Sequence, residues 1–321
     1  MLLRLPPFLL GNCFYGLYGI FVDMKGIIFG LFLFTAIFAV SAFAQSTDVK
    51  YTIFNASGEP SNINAVIENA QKGDVVFLGE QHDDAVGHAL QFEIFKKLVE
   101  QNAGKRKVIL SLEMFERDVQ IVLDEYLSGL ITEKQFLASS RPWGNYQTDY
   151  RPLVELAKEN KLEVVAANAP RRYVNMVSRL GRESLNKLSD QAKTWLAPLP
   201  YPDPSDAYSR KFNALMGGSP ESLSSANPIL YSQALWDATM ADSVAKALDK
   251  NKGSLIVHLN GGFHTESRLG TFEQLMKYRP KTKGIVVTMR YEDDFKMFKP
   301  DMKNIGDFVV LTDASQPRSG K

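Results

Sequence analysis

Cysteine is almost missing from this sequence: one residue, Cys13, among 321. A lone cysteine excludes a disulfide framework, a thiolate metal site, an iron–sulfur cluster and c-type haem attachment. Neither sign of charge dominates, with 37 Lys and Arg against 36 Asp and Glu. Setting residues 1–44 aside removes Arg4, Lys25 and Asp23 and leaves the two signs equal. A chain without net charge offers no field for phosphates, so nucleic acid is not an expected partner. Several catalytic signatures are also missing. There is no G-x-S-x-G elbow, no G-x-x-x-x-G-K-S/T loop, no G-x-G-x-x-G after a strand and no H-E-x-x-H. What remains is ordinary globular composition, 45% hydrophobic and 23% charged, which excludes wholesale disorder. The length allows one large domain or two small ones, and a single α/β domain of about 250 residues is within the usual range.

From Met24 the text reads MKGIIFGLFLFTAIFAVSAFAQS. Lys25 supplies a basic n-region, Gly26–Val40 an apolar h-region, and Ala42-Phe43-Ala44 a small-x-small cleavage site. The apolar run approaches membrane-spanning length, but the polar Gln45-Ser46 that follows favours cleavage near Ala44 over an anchor. Residues 1–23 then read as an extension upstream of the true start. Cys13 follows Asn12 and does not fit a lipobox. The expectation is export, to the periplasm or the outer cell surface.

Short apolar runs bounded by turn residues predict strands at Asp74–Leu78, Val108–Leu112, Leu162–Ala166, Leu255–Leu259, Gly284–Met289 and Phe308–Leu311. Tyr51–Phe54 reads as an edge strand. Helical periodicity predicts Val86–Asn102, Val119–Ser128, Glu133–Ser139, Leu153–Asn160, Ile229–Asp249 and Thr271–Lys277, with Pro170 at the first position of a further helix. Strands alternating with such helices make an α/β fold, a mainly parallel central sheet flanked by helices. Residues 45–314 are expected to form one domain. Within it, 180–228 is a helical, Pro-rich excursion broken by Pro198, Pro200, Pro202 and Pro204. Residues 315–321 are expected to be a disordered tail.

In such sheets ligands bind outside the carboxyl ends of the strands. Those ends carry Glu80 and His82, Glu113, Asn168 with Arg171 and Arg172, His264, and Arg290. Gly79-Glu-Gln-His82 and Gly261-Gly-Phe-His264 repeat one pattern, Gly-x-x-His, in a chain with four histidines. The glycine would permit a sharp exit from the strand, letting the histidine turn back over the sheet edge. Two histidines with one or two carboxylates make a divalent-metal or acid–base set.

Other polar residues have structural readings. His88 lies roughly 240° round a helix from His82 and is expected to be solvated. His258 sits inside a strand and reads as a hydrogen-bonded core histidine. Glu113 divides evenly between function and pairing with Arg117. Asp83-Asp84 reads as an N-cap pair, and Trp236 and Met240 as core. Arg171 and Arg172 near a helix start oppose the macrodipole, and an anionic ligand there would explain them.

Six segments, in order, resemble the ChaN family of the Tiki superfamily. They are Val75-Val-Phe-Leu-Gly-Glu-Gln-His-Asp-Asp84, Leu110-Ser-Leu-Glu-Met-Phe115, Trp143 through Tyr150-Arg-Pro152, Val165-Ala-Ala-Asn-Ala-Pro-Arg171, Gln233 through Ala241, and Gly261-Gly-Phe-His264. The resemblance implies an exported or lipid-anchored bacterial protein of iron and haem uptake, with peripheral membrane association for anchored members. It also implies a haem pocket shared by the two subunits of a homodimer, with a tyrosinate as iron ligand and a histidine assisting. Tyr146, Tyr150, Tyr208 and Tyr231 are the candidate tyrosines, Tyr150 first. Carried onto this sequence, the site is Glu80, His82, Glu113, Asn168, Arg171 and His264.

Relatives elsewhere in the superfamily imply an alternative, a metal-dependent hydrolase of protease or esterase-like type. There His82, His264 and one of Glu80 and Glu113 would hold a divalent metal ion. The other glutamate would act as general base on a metal-bound water. Haem is the first expectation and the bare metal the second.

Overall fold

The computed structural model describes residues 49–217 and 227–320, so the expected extension at 1–23 and signal sequence at 24–44 lie outside the described residues. The chain enters through β1 (Tyr51–Asn55), the two-residue β2 (Pro60–Ser61) and helix α1 (Ile63–Lys72). The central sheet starts with β3 (Val75–Glu80), α2 (Ala85–Asn102) and β4 (Val108–Glu116). Helices α3 (Gln120–Leu127), α4 (Glu133–Ser140) and α5 (Arg151–Glu159) lead to β5 (Val164–Asn168) and α6 (Arg171–Leu180). The excursion holds α7 (Asp190–Thr194) and α8 (Asp206–Leu215), and α9 (Pro228–Lys250) returns the chain to β6 (Leu255–Gly261). Helix α10 (Thr271–Tyr278), β7 (Gly284–Glu292) and β8 (Phe308–Asp313) complete the fold.

All eight strands form one sheet in the order β2-β1-β8-β7-β3-β6-β4-β5. The six strands from β8 to β5 run parallel, and β1 and β2 are antiparallel additions at one edge. The expected α/β class is the observed one. Every residue of β3 is buried, as an unbroken apolar run must be when helices cover both faces of a parallel strand. Alternation sorts the side chains. Leu78, Leu110, Val257 and Leu259 face Ile94, Phe95 and Leu98 of α2 with Leu153 of α5. Phe77, Ile109 and Ile256 face Ala241, Val244 and Leu248 of α9 with Leu275 of α10. His258 shares this second face, its Nδ1 2.8 Å from Ser111 Oγ on β4, the core histidine that was expected.

Several local expectations are corrected. β6 lies between β3 and β4, so the strands that carry Glu80 and Glu113 are separated by a third. The strands run past their expected ends, with β4 reaching Glu116 and β6 reaching Gly261, because those polar ends are paired by the adjoining strands. Pro170 is the N-cap and Arg171 the first helical residue of α6. Residues 315–320 do not float as a disordered tail. The Ser319 amide donates to the Asp83 carbonyl at 2.9 Å, the Ser319 hydroxyl donates to Asp149 at 2.9 Å, and Arg318 sits 3.6 Å from the Tyr291 ring centroid.

Arg117 does not pair with Glu113. It is buried where β4 meets α9, donating to Asp242 at 2.7 Å, Ser243 Oγ at 2.7 Å and the carbonyls of Thr239 and Leu196 at 2.9 and 2.8 Å. Lys246 also meets Asp242, at 2.8 Å, so removing Arg117 leaves that carboxylate one partner but strips the bonds to Ser243 and to both carbonyls. Arg117→Met should therefore cost about 2 kcal/mol in urea unfolding; a loss below about 1 kcal/mol would show the network to be incidental.

Candidate functional site

The carboxyl end of β3 delivers Glu80 into the interior, and Glu80 organises what surrounds it. Its Oε1 accepts from the Tyr150 hydroxyl at 2.6 Å and lies 2.9 Å from His82 Nδ1. Its Oε2 accepts from Gln91 Nε2 of α2 at 2.8 Å, and His88 Nδ1 lies 3.7 Å away. Burial pushes this carboxyl up, but the His82 hydrogen bond, the nearby His88 and the Tyr150 hydroxyl outweigh it and hold it below its usual range. Tyr150 reaches Glu80 because Tyr146–Tyr150 form a π-helical turn before α5, a distortion that recurs at functional sites.

His82 is the part of this network that reaches solvent, with 41% of its side chain exposed. With Glu80 ionised, Nδ1 carries the shared proton, and among the described residues Nε2 has no hydrogen-bond partner. Burial lowers the pKa of His82, but the Glu80 hydrogen bond and the charge of Glu113 raise it above the ordinary value. The Trp143 ring stands edge-on to the imidazole at 4.9 Å. His88 is not solvated: it is buried, 2.9 Å from Gln91 Oε1 and 3.4 Å from Asp149 Oδ2. Its helix face turns toward Glu80, which the angular argument from His82 could not show.

The second Gly-x-x-His histidine is placed differently. His264 is buried at the end of β6, its Nδ1 2.8 Å from Asp237 Oδ1 and its Nε2 3.6 Å from Glu113 Oε1. Asp237, on α9, also accepts from the hydroxyls of Tyr208 and Thr271. Glu113 accepts from the Gly261 amide at 2.7 Å. Burial alone would lower the pKa of His264, but Asp237 and Glu113 drive it up to about 9. The glycines serve close approach, not a sharp exit. A Cβ on Gly261 would stand 2.8 Å from His82 Cε1, and one on Gly79 would stand 3.1 Å from Gly262 Cα. This contact brings the two histidine segments together.

An open cleft of about 740 Å³ lies against His82, within the usual range for small-molecule and cofactor sites. Met114, Pro142 and Trp143 form its apolar wall, and Arg141, Arg171 and Arg172 its charged rim. A second cleft of about 750 Å³ opens between β1 and α2, with Lys50 and Glu93 as its charged lining.

Of the expected site residues, His82 and Arg171 line the first cleft, while Glu80, Glu113 and His264 sit beneath it. Asn168 is buried and takes no part in the lining; its Oδ1 accepts from the Ala169 amide. Tyr150, the first candidate for the iron ligand, places its hydroxyl on Glu80 and does not line the cleft. It is fully buried, and burial with the neighbouring Glu80 charge pushes its hydroxyl well above the usual range. Tyr208 and Tyr146 are buried too, and Tyr231 is half-buried.

The single metal set of His82, His264, Glu80 and Glu113 does not form. Among the described residues no group of three or more His, Cys, Asp or Glu is placed to hold a metal ion. Their donor atoms are committed instead, Glu80 to Tyr150 and Gln91, Glu113 to Gly261, and His264 to Asp237. Sequence reasoning missed Arg141 and Asp149 altogether, and read His88 as a solvated helix residue. Asp84, without Asp83, caps α2.

The fold and this cleft define a mainly parallel α/β protein with a half-exposed histidine beside a cleft at the carboxyl edge of its sheet. The model of the family described as haem-binding uptake, Tiki superfamily, ChaN matches residues 66–275, and the chain belongs to that family. Among solved structures, ChaN of Campylobacter jejuni, reported with cofacial haem binding, superposes with a TM-score of 0.63 at 18% identity, covering 83% of this chain and 98% of that one. A Bacillus cereus protein superposes with a TM-score of 0.49 at 12% identity, covering 81% and 93%. At such identities the likeness concerns the fold alone. No curated protein matches the chain in sequence.

The His264 site predicts a pH dependence. Its pKa rises on folding from 6.5 to about 9, so its stabilisation is full below the lower value and is lost as pH rises through the upper one. Urea stability should fall by about 3 kcal/mol across that window, and Asp237→Asn should flatten the fall. A wild-type profile level across the window would contradict the placement of His264 between two carboxylates.

Proposed function

We propose that this chain is an exported haem-binding protein of iron or haem uptake, with haem as its cargo in the cleft beside His82. The observation that carries the reading is the unpartnered Nε2 of a histidine whose other nitrogen is fixed by a buried carboxylate. That arrangement, in which the carboxylate sets tautomer and ring direction, is how proteins prepare a histidine for a metal. The cleft fits the rest of a haem, with Trp143, Met114 and Pro142 for the flat apolar body and rim arginines for the charged edge.

Membership of a haem-binding uptake family supports the same reading. Tyr150 contributes through Glu80, holding the carboxylate that holds the histidine. Export rests on residues 24–44, with the periplasm or outer surface as destination and peripheral membrane association as in lipid-anchored relatives. Sharing of the cargo by a homodimer rests on the family resemblance. Sedimentation of haemin-loaded against free protein tests the homodimer, and amino-terminal sequencing of the exported chain tests cleavage near Ala44.

Titration of the full chain with haemin should give a saturable Soret shift near one equivalent. His82→Ala should weaken binding at least about tenfold, or about 1.4 kcal/mol, and Tyr150→Phe by less. Absence of a shift in the wild type would end the haem reading. Equal affinity of His82→Ala and wild type would move the cargo away from His82.

A further inference from the structure

The three arginines on the rim of the cleft are not equivalent. Arg172 donates to Asp118 at 2.5 Å, and Arg141 donates to Asp118 at 2.6 Å and to Glu116 at 2.8 Å. Two cations and two anions close on themselves with no charge left over. Arg172 is held further by the rings of Tyr173 and Trp195, whose centroids lie 4.5 and 5.2 Å from its guanidinium carbon. Arg171 differs. Like the other two it is exposed and lines the cleft, but among the described residues it has neither an ion pair nor a hydrogen bond.

An arginine already paired with a carboxylate gains little from a further anion, whereas an unopposed one gains the whole charge-assisted pair. The guanidinium fork also matches a carboxylate with two parallel N–H donors. Elsewhere in the lining, Met114, Pro142 and Trp143 present apolar surface that a carboxylate would avoid, and Glu116 would repel it were Arg141 not paired with it.

We infer that Arg171 is the carboxylate anchor of this cleft and selects ligands that carry a free carboxylate at the edge of a flat apolar body. Arg141 and Arg172 act indirectly, by keeping Asp118 and Glu116 from repelling that carboxylate. The inference rests on the haem reading above and adds to it what the periphery of the cargo must carry. For haem, the anchored group is a propionate, and a porphyrin with both propionates esterified is discriminated against.

The test compares haemin with haemin dimethyl ester in Soret titrations of the full chain. Wild type should bind the acid roughly tenfold more tightly than the ester, equivalent to about 1.4 kcal/mol. Arg171→Ala should bind both with the affinity that wild type shows for the ester. Arg171→Lys should keep part of the preference, and Arg171→Glu should reverse it. Because residue 171 is exposed and unpartnered, these variants should unfold in urea as wild type does. Equal affinity of wild type for acid and ester, or a preference that survives in Arg171→Ala, overturns the inference and leaves the haem reading standing. Failure of wild type to take up either porphyrin overturns both.

Discussion

A buried carboxylate at the end of β3 is the constraint on which the rest of the site depends. Glu80 sits in the interior, where an unpaired charge would be intolerable. It is kept ionised by donors from three directions, Gln91 on α2, Tyr150 on the π-helical turn and His82 on the loop after the strand. Each donor ties one structural element to the sheet. Losing any of them would leave Glu80 under-satisfied, so the elements around the cleft are set by one group's need for partners. The exposed consequence is His82, held by one nitrogen and open at the other.

The two Gly-x-x-His segments show how one local pattern serves two ends. After β3 the histidine is half in solvent and turned toward a cleft. After β6 the histidine is sealed between Asp237 and Glu113 and holds its proton past neutrality. β6 lies between the strands that supply Glu80 and Glu113. Gly261 at its end lets His82 pack closely over the backbone whose amide Glu113 holds. The outer histidine therefore rests on the inner one's support, and a side chain at 261 would part them.

Much of this was legible in the sequence. The unbroken apolar runs mark the parallel strands, and the strand-end rule picks out Glu80, His82, Glu113 and His264. The pairings were not legible. Whether Glu113 would meet Arg117 or Gly261 depends on β6 entering between β3 and β4, and no local pattern encodes that insertion. The direction of His88 depends on where Glu80 lies under α2, and the burial of Tyr150 on a π-helical turn whose residues look like an ordinary loop. Arg171 and Arg172 look alike in sequence, and they separate only because Asp118 lies within reach of one and not the other.

The central claim is that buried Glu80 fixes the proton of His82 on Nδ1 and leaves Nε2 bare toward the cleft. Nitrogen-15 NMR of histidine-labelled protein, at a pH where His82 is neutral and with His82→Gln to assign its signals, reads this directly. The account predicts an Nδ1–H tautomer for His82 that becomes mixed in Glu80→Gln. A neutral His82 protonated at Nε2 in the wild type would contradict it.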